Sequence, residues 1–270
     1  MTNKLDNFPS VYVSSIPENS HRIIHLRNDF AKYGLDVTCF VYKKYNDGDY
    51  DVKGAEYFGT GHIGSITSFF QTLKKWYDST SEEYVLFCDD DLSLESVLYW
   101  NFTWSDFMNK LPENWNCIQL SVLRQDANYN DYDLSLKNRF LHDWGGTALM
   151  KREYAKKLLD AYYYDSYFDF LYKGCESDYV IAEGFVEFPN ISKAVETIVF
   201  TNFEIRGVYS VPLFLENYNL FGNSMQSNGF VIDHQSTNAQ CYNYLLNWWK
   251  NGGLDLDTIK YPYFHQKVLD

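Results

Sequence analysis

The sequence predicts a layered α/β fold with a mainly parallel sheet and an irregular C-terminal part. Strand and helix patterns alternate from residue 10 to residue 162, as they do in βαβ units. The pattern from Tyr84 to Cys88 is apolar on both faces, which is typical of a central parallel strand. No repeat, low-complexity tract or Pro/Gly-rich linker divides the 270 residues. We therefore expect one domain over residues 1–270.

Each element follows from the spacing of its apolar residues. Alternating or continuous apolar runs predict strands, whereas apolar residues three and four positions apart predict helices. Gly34 is the expected end of the first helix, and the polar stretch 46–61 is expected to be a loop. On this basis we predict strands over 10–14, 37–42, 84–88, 117–122 and 147–150, and helices over 20–33, 63–77, 98–111 and 152–162.

The composition excludes several classes of protein. A net charge of −13 disfavours nucleic acid as a partner, because phosphate backbones require a basic surface. No stretch of about 18 apolar residues predicts a transmembrane segment. The five cysteines are odd in number and none has CxxC spacing, which argues against a disulfide framework and a structural zinc site. The N-terminus has no apolar signal core, so we expect a soluble, cytoplasmic protein.

Three consecutive aspartates, Asp89, Asp90 and Asp91, directly follow the predicted central strand. Ligands of open α/β sheets bind beyond the carboxyl ends of the strands. Side chains alternate along extended backbone, so Asp89 and Asp91 are expected on one side and Asp90 on the other. Two carboxylates on one side favour Mg²⁺ or Mn²⁺, which would bridge a diphosphate. The alternative interpretation is a solvated acidic turn or a helix N-cap.

The stretch EYVLFCDDDLSLE, preceded by GHIGSITSFFQTLKKWYD, resembles the middle of GT-A glycosyltransferases. Within that fold, the pattern is most similar to the lipopolysaccharide and collagen galactosyltransferase-like family. Gly61, Gly64 and Ser65 resemble the family's helix start, and WNCIQLSVL and WGGTALMKREYAKKLL resemble its later strands and helix. The family usually has Glu-Asp-Asp where this chain has three aspartates. The resemblance covers about residues 10–160 and implies a Rossmann-like sheet flanked by helices.

The resemblance implies a metal-dependent hexosyltransferase that uses a nucleotide-sugar, with a UDP-sugar favoured and a glycan, lipid-linked or protein acceptor. The nucleotide-binding half would span about 8–125 and the acceptor half about 126–270. Asp89 would contact the ribose or the metal, Asp91 would be the main metal ligand, and His234 is the expected third ligand. Asp90 fits the family's triplet as a further cofactor contact.

Other site residues are implied by the same resemblance. The general base of an inverting enzyme would be Asp178, ahead of Glu176, although both acids also suit a helix start. Gly145 and Gly146 would let the backbone approach the diphosphate or a sugar hydroxyl. Ser14 would lie where the nucleotide base binds, by analogy with the fold alone.

Two other classes of function remain open from the sequence. FCDDDLS also fits the first motif of haloacid-dehalogenase-like phosphatases, in which Asp89 would attack phosphorus, but that motif usually lies nearer the N-terminus. A sugar- or nucleotide-binding protein without turnover would use the acidic site for a structural cation. A nucleotidyltransferase ranks lower, because residues 8–27 lack its Gly-rich phosphate loop.

Overall fold

The computed structural model describes residues 3–46, 48–54, 60–124, 128–129, 133–138, 143–164, 167–170, 195–200, 207–217 and 234–259. The α-helices in these ranges are α1 (Ser20–Ala31), α2 (Thr60–Ser79), α3 (Trp104–Asn109), α4 (Arg152–Tyr162), α5 (Val195–Phe200) and α6 (His234–Lys250). The strands are β1 (Val11–Ser15), β2 (Val37–Val41), β3 (Asp51–Lys53), β4 (Tyr84–Cys88), β5 (Leu92–Ser93), β6 (Cys117–Ser121), β7 (Leu123–Arg124), β8 (Lys137–Asn138), β9 (Asp143–Trp144), β10 (Ala148–Lys151), β11 (Tyr167–Asp169) and β12 (Val208–Glu216).

The main sheet has the order β2-β1-β4-β10-β6-β12-β5, with β8 also paired to β12. The α/β class is confirmed, but the sheet is mixed and curled, so the prediction of a mainly parallel sheet needs correction. β1 is parallel to β2 and β4, and β6 is parallel to β12, whereas β10 is antiparallel to both β4 and β6. A parallel neighbour requires the chain to cross back over the sheet. Instead, β10 begins at the edge where β6 has ended.

Two apolar layers cover the two faces of the sheet. Leu86 and Cys88 of β4 point into the layer formed with α1, α3 and α6, and Val85 and Phe87 point into the layer formed with α2, α4 and α5. This alternation with burial on both faces is why the β4 sequence is continuously apolar. Much of the large aromatic content lies in these layers, as expected from its ring area. Fully buried aromatic residues include Trp76, Trp104, Trp249, Phe69, Phe70 and Phe107.

The predicted helix over 98–111 is wrong in its extent. A 3₁₀ turn occupies Glu95–Tyr99, and α3 begins only at Trp104. The break has a local cause, because Thr103 and Asp106 form a capping box. Thr103 Oγ1 accepts from the Asp106 N–H at 3.1 Å, and Asp106 Oδ2 accepts from the Thr103 N–H at 2.8 Å. A capping box fixes a helix start, so the segment cannot run as one helix.

The remaining predicted elements agree with the structure to within three residues at each end. The stretch 46–61 was expected to be loop throughout, but it contains β3, which pairs in parallel with the distant β11. None of the described helices is long and apolar enough to cross a membrane. Among the described residues, Cys39, Cys88, Cys117 and Cys241 form no disulfide. The division into a nucleotide-binding and an acceptor half, and the cytoplasmic location, stay predictions.

Candidate active site at the strand ends

One edge of the sheet collects the carboxyl ends of β1, β4, β6 and β12 together with the beginning of β10. The registers fix this arrangement, since Val13 pairs with Cys88, and Ala148 pairs with both Phe87 and Gln119. Polar residues are concentrated at this edge, although the strands leading to it are apolar. They are Ser15, Asp89, Asp90, Asp91, Ser121, Gly145, Gly146 and Glu216.

The aspartate triplet lies in a turn and not on extended backbone. β4 ends at Cys88, and the Leu92 N–H donates to the Asp89 carbonyl at 3.4 Å. The alternation expected from an extended strand therefore does not apply. Asp90 and Asp91 share the same partner, Arg22, whereas the carboxylate of Asp89 lies against Gly146. The prediction that Asp89 and Asp91 point to one side and Asp90 to the other is therefore wrong, because the chain turns at these residues.

Arg22 of α1 joins the helix to the triplet. Its Nη1 lies 3.0 Å from Asp90 Oδ1 and 3.4 Å from Asp91 Oδ2. Asp90 Oδ2 also accepts hydrogen bonds from Ser15 Oγ and from Asn19 Nδ2, the latter at 3.1 Å. Arg22 and Asp90 are 4% and 6% exposed, so their charges compensate each other away from water. The primary structural role of Asp90 is therefore to hold α1 against the end of β4.

Asp91 is buried with an excess of negative charge around it. Burial and the neighbouring carboxylate of Asp90 together raise the pKa of Asp91 to about 6, although the guanidinium of Arg22 opposes both effects. Ionised Asp91 is therefore costly in the fold as it stands. A divalent cation at this position would favour the ionised form, because an opposite charge nearby lowers a carboxyl pKa.

The donor chemistry fits a hard cation such as Mg²⁺ or Mn²⁺ in part. Asp89 and Asp91 offer carboxylate oxygens at the strand end, which are the ligands such ions prefer. Within the described ranges, no three His, Cys, Asp or Glu side chains converge as a complete metal site would require. His234 is the first residue of α6, and its side chain lies outside what the structure describes. Asp89, Asp91 and His234 thus stay predicted ligands.

The diglycine at the start of β10 faces Asp89 closely. Gly145 adopts φ +126°, a conformation that side chains rarely allow, and its carbonyl accepts from Gln119 Nε2 at 3.1 Å. A Cβ on Gly146 would lie 1.9 Å from Asp89 Oδ2, and a Cβ on Gly145 would lie 2.7 Å from Ser121 Oγ. The missing side chains therefore let the backbone touch both polar groups.

Glu216 adds a further carboxylate to this edge. It ends β12 and is 8% exposed, and its Oε1 accepts from Ser121 Oγ at 3.1 Å. Ser121 Oγ in turn accepts from the Thr147 N–H at 3.3 Å, and Ser121 lies against Gly145, so this serine connects Glu216 to the diglycine. Glu216 was not predicted from the sequence. Its signal was available, since an apolar strand run, VPLFLE, ends directly in an acid.

The remaining predicted site residues are Ser14, Asp178 and Glu176. Ser14 is half-buried at the end of β1, with its hydroxyl 3.5 Å from that of Ser68 on α2, which places it on the same edge. Asp178 and Glu176 lie outside the described residues. Their assignment as general base stays a prediction from the resemblance.

Gly146→Ala is expected to lower any activity that uses the Asp89 carboxylate by about 100-fold, because the new methyl group must displace that carboxylate and misplacement of about 1 Å has an effect of that size. The fold is expected to survive, since only the end of one side chain has to move. Steady-state activity assays and thermal unfolding would measure both quantities. Ser81→Ala is the control, because Ser81 is exposed in the loop before β4. Wild-type activity of Gly146→Ala would contradict a role for Asp89.

No protein-family model matches this sequence, and no curated protein matches it. Among solved structures, A197 from STIV is similar with a TM-score of 0.38 and 13% identity, over 76% of this chain and 83% of that chain. A glycosyltransferase involved in the glycosylation of the major capsid of PBCV-1 gives 0.33 and 12%, over 69% and 80%. The glycosyltransferase GlyE from Streptococcus pneumoniae TIGR4 gives 0.31 and 12%, over 96% and 66%. At these values, function has to be argued from the residues at the strand ends.

Proposed function

We propose that this chain is a metal-dependent glycosyltransferase that moves a hexose from a nucleotide diphosphate to a glycan, lipid-linked or protein acceptor. The observation that carries this proposal is the meeting of the Asp89-Asp90-Asp91 turn with the diglycine Gly145-Gly146 at the carboxyl edge of the sheet. Acidic side chains, backbone that carries no side chain and a central strand end are together suited to a diphosphate and its cation.

Each part of the edge has a role in such a reaction. Asp89 and Asp91 would hold Mn²⁺ or Mg²⁺, which neutralises the charge of the departing diphosphate. Arg22 holds the turn against α1 through its ion pairs with Asp90 and Asp91. The backbone at Gly145 and Gly146 would lie along the donor. Glu216 would accept a hydrogen bond from a sugar hydroxyl.

Nucleotide binding tests the proposal directly. Ligands that bind only the native state raise its stability according to their concentration over their dissociation constant. We expect UDP together with Mn²⁺ to raise the thermal midpoint by roughly 2–4 °C, with GDP, CMP and ADP less effective and UDP alone inactive. Differential scanning fluorimetry with each nucleotide, with and without Mn²⁺, would measure these shifts.

The matched variants are Asp91→Asn and Asp78→Asn. Asp91→Asn should lose the Mn²⁺-dependent shift, whereas Asp78→Asn, on the exposed surface of α2, should keep it. A nucleotide shift without release of the donor sugar in an acceptor assay would instead indicate a binding protein without turnover. A phosphoaspartate at Asp89 after incubation with a phosphoryl donor would indicate a phosphatase. Absence of every shift would contradict the proposed site.

A further inference from the structure

A cavity of about 370 Å³ opens beside α1. Its walls come from α1, the segment 93–98, the residue after β12 and α6. The groups that matter for its chemistry are mostly polar or aromatic, and they are His25, Asp29, Tyr33, Glu95, Asn217 and Tyr242. None of these residues belongs to the candidate transfer site. A volume above about 300 Å³ is the size range of small-molecule sites in proteins.

Two structural links connect the cavity to the turn formed by Asp89, Asp90 and Asp91. Arg22, His25 and Asp29 are spaced three and seven residues apart, so they lie on one stripe of α1. The stripe leads from the triplet at Arg22 into the cavity at His25, one helical turn further on. Asn217 provides the second link, because its N–H donates to the Asp91 carbonyl at 2.7 Å and its Nδ2 lies 3.2 Å from His25 Nε2.

The charges of the cavity are largely paired internally. Asp29 lies 2.7 Å from Lys32 Nζ and 3.6 Å from His25 Nε2. Glu95 accepts a hydrogen bond from the Tyr242 hydroxyl. The two carboxylates disfavour an anionic ligand, and among the described residues no His, Cys, Asp and Glu group of three is arranged for a metal ion. A neutral ligand rich in hydrogen-bonding groups fits best.

We propose that this cavity binds a neutral oligosaccharide at a site separate from the transfer site. Sugar hydroxyls both donate and accept, which matches the carboxylates, the amide of Asn217 and the tyrosine hydroxyls. The rings of Tyr33 and Tyr242 supply apolar surface with a polar tip, which suits a ligand that is partly wet. The site requires neither a nucleotide nor a divalent cation, so it goes beyond the proposed transfer function. Its position beside the acidic turn would hold part of a glycan near the reaction.

Titration with neutral trisaccharides in EDTA, without nucleotide, tests this site. The probes are maltotriose, cellotriose and chitotriose, with trigalacturonate as the acidic comparator, followed by saturation-transfer NMR and calorimetry. We expect at least one neutral trisaccharide to bind and Tyr242→Ala to weaken it by about tenfold or more. Tyr244→Ala is the matched control, because Tyr244 lies on the same helix but packs against Tyr129 outside the cavity. Glu95→Gln, which preserves side-chain size, replaces Tyr242→Ala if that variant unfolds.

Several results would overturn the inference: no binding of any neutral trisaccharide, binding of trigalacturonate alone, or equal effects of Tyr242→Ala and Tyr244→Ala. Asp89→Asn and Tyr242→Ala separate the two sites. The first should keep glycan binding, and the second should keep the Mn²⁺-dependent nucleotide shift. Failure of nucleotide binding would therefore overturn the transferase proposal and leave the glycan result standing.

Discussion

Asp91→Asn is expected to reduce the proposed glycosyl transfer by about 10³-fold or more, because a catalytic cation would supply several kcal/mol of transition-state stabilisation and Asp91 is its predicted main ligand. The same change should leave the free energy of unfolding equal or higher at pH 7.5. The reason is that burial raises the pKa of Asp91 from 3.8 to about 6, so the ionised side chain is disfavoured in the apo fold. Asparagine has nearly the same shape without that charge.

The sign of the pH dependence follows from this shift. A carboxyl whose pKa is higher in the folded than in the unfolded state binds more protons when folded, so its contribution to stability falls as the pH rises. For Asp91 the fall should occur between pH 3.8 and about 6 in the metal-free protein. Urea denaturation across this range should show a smaller decline for Asp91→Asn than for the wild type. Loss of cooperative unfolding by Asp91→Asn would mean that the carboxylate is structural and would count against its catalytic role.

Arg22→Met is expected to lower the free energy of unfolding by about 3–5 kcal/mol, which is the usual cost of removing one partner from a buried ion pair. Asp90 and Asp91 are only 6% and 8% exposed. Without the guanidinium of Arg22, both carboxylates would stay buried but would lose this positively charged partner. Methionine fills a similar volume, so a packing defect contributes little. Equilibrium urea denaturation monitored by tryptophan fluorescence would measure the change.

A surface ion pair and a double variant provide the controls for Arg22. Lys110→Met removes the partner of Asp257, whose side chain is 88% exposed, and should change stability by less than about 1 kcal/mol. Arg22→Met combined with Asp90→Asn should be less destabilised than the sum of the single variants, because the two side chains interact directly. Equal losses for Arg22→Met and Lys110→Met, or strict additivity, would show that the buried pair does not hold the turn.

The position of the three aspartates at a strand end could be predicted from the sequence because its signal is local. An apolar strand that ends in three aspartates places carboxylates at a sheet edge whatever the neighbouring strands are. Gly145 and Gly146 also stood out, since adjacent glycines before a strand indicate close backbone contact. The Asp89 carboxylate is the group that leaves no room for a side chain at Gly146, and this contact can be seen only in the three-dimensional structure.

The direction of each aspartate depended on long-range contacts. Alternation predicts that Asp90 opposes Asp89 and Asp91, but the chain turns after Cys88 and Arg22 draws Asp90 and Asp91 together. Glu216 reaches the edge because β12 pairs with β6, which brings together residues separated by about ninety positions in the chain. The apolar run that ends in Glu216 is a local pattern, but neither the pairing of β12 with β6 nor the contact of Arg22 with the aspartates can be predicted from the neighbouring sequence.

Short segments of sequence were enough to predict the α/β class, the burial of many aromatic residues and the strand end that carries the aspartates, because each depends on local periodicity. Long-range packing sets the antiparallel direction of β10, the pairing of Asp90 and Asp91 with Arg22, and the approach of Glu216 and Gly146 to the same edge. These features depend on which distant strands become neighbours, and that choice is made by packing of the whole sheet between its two apolar layers.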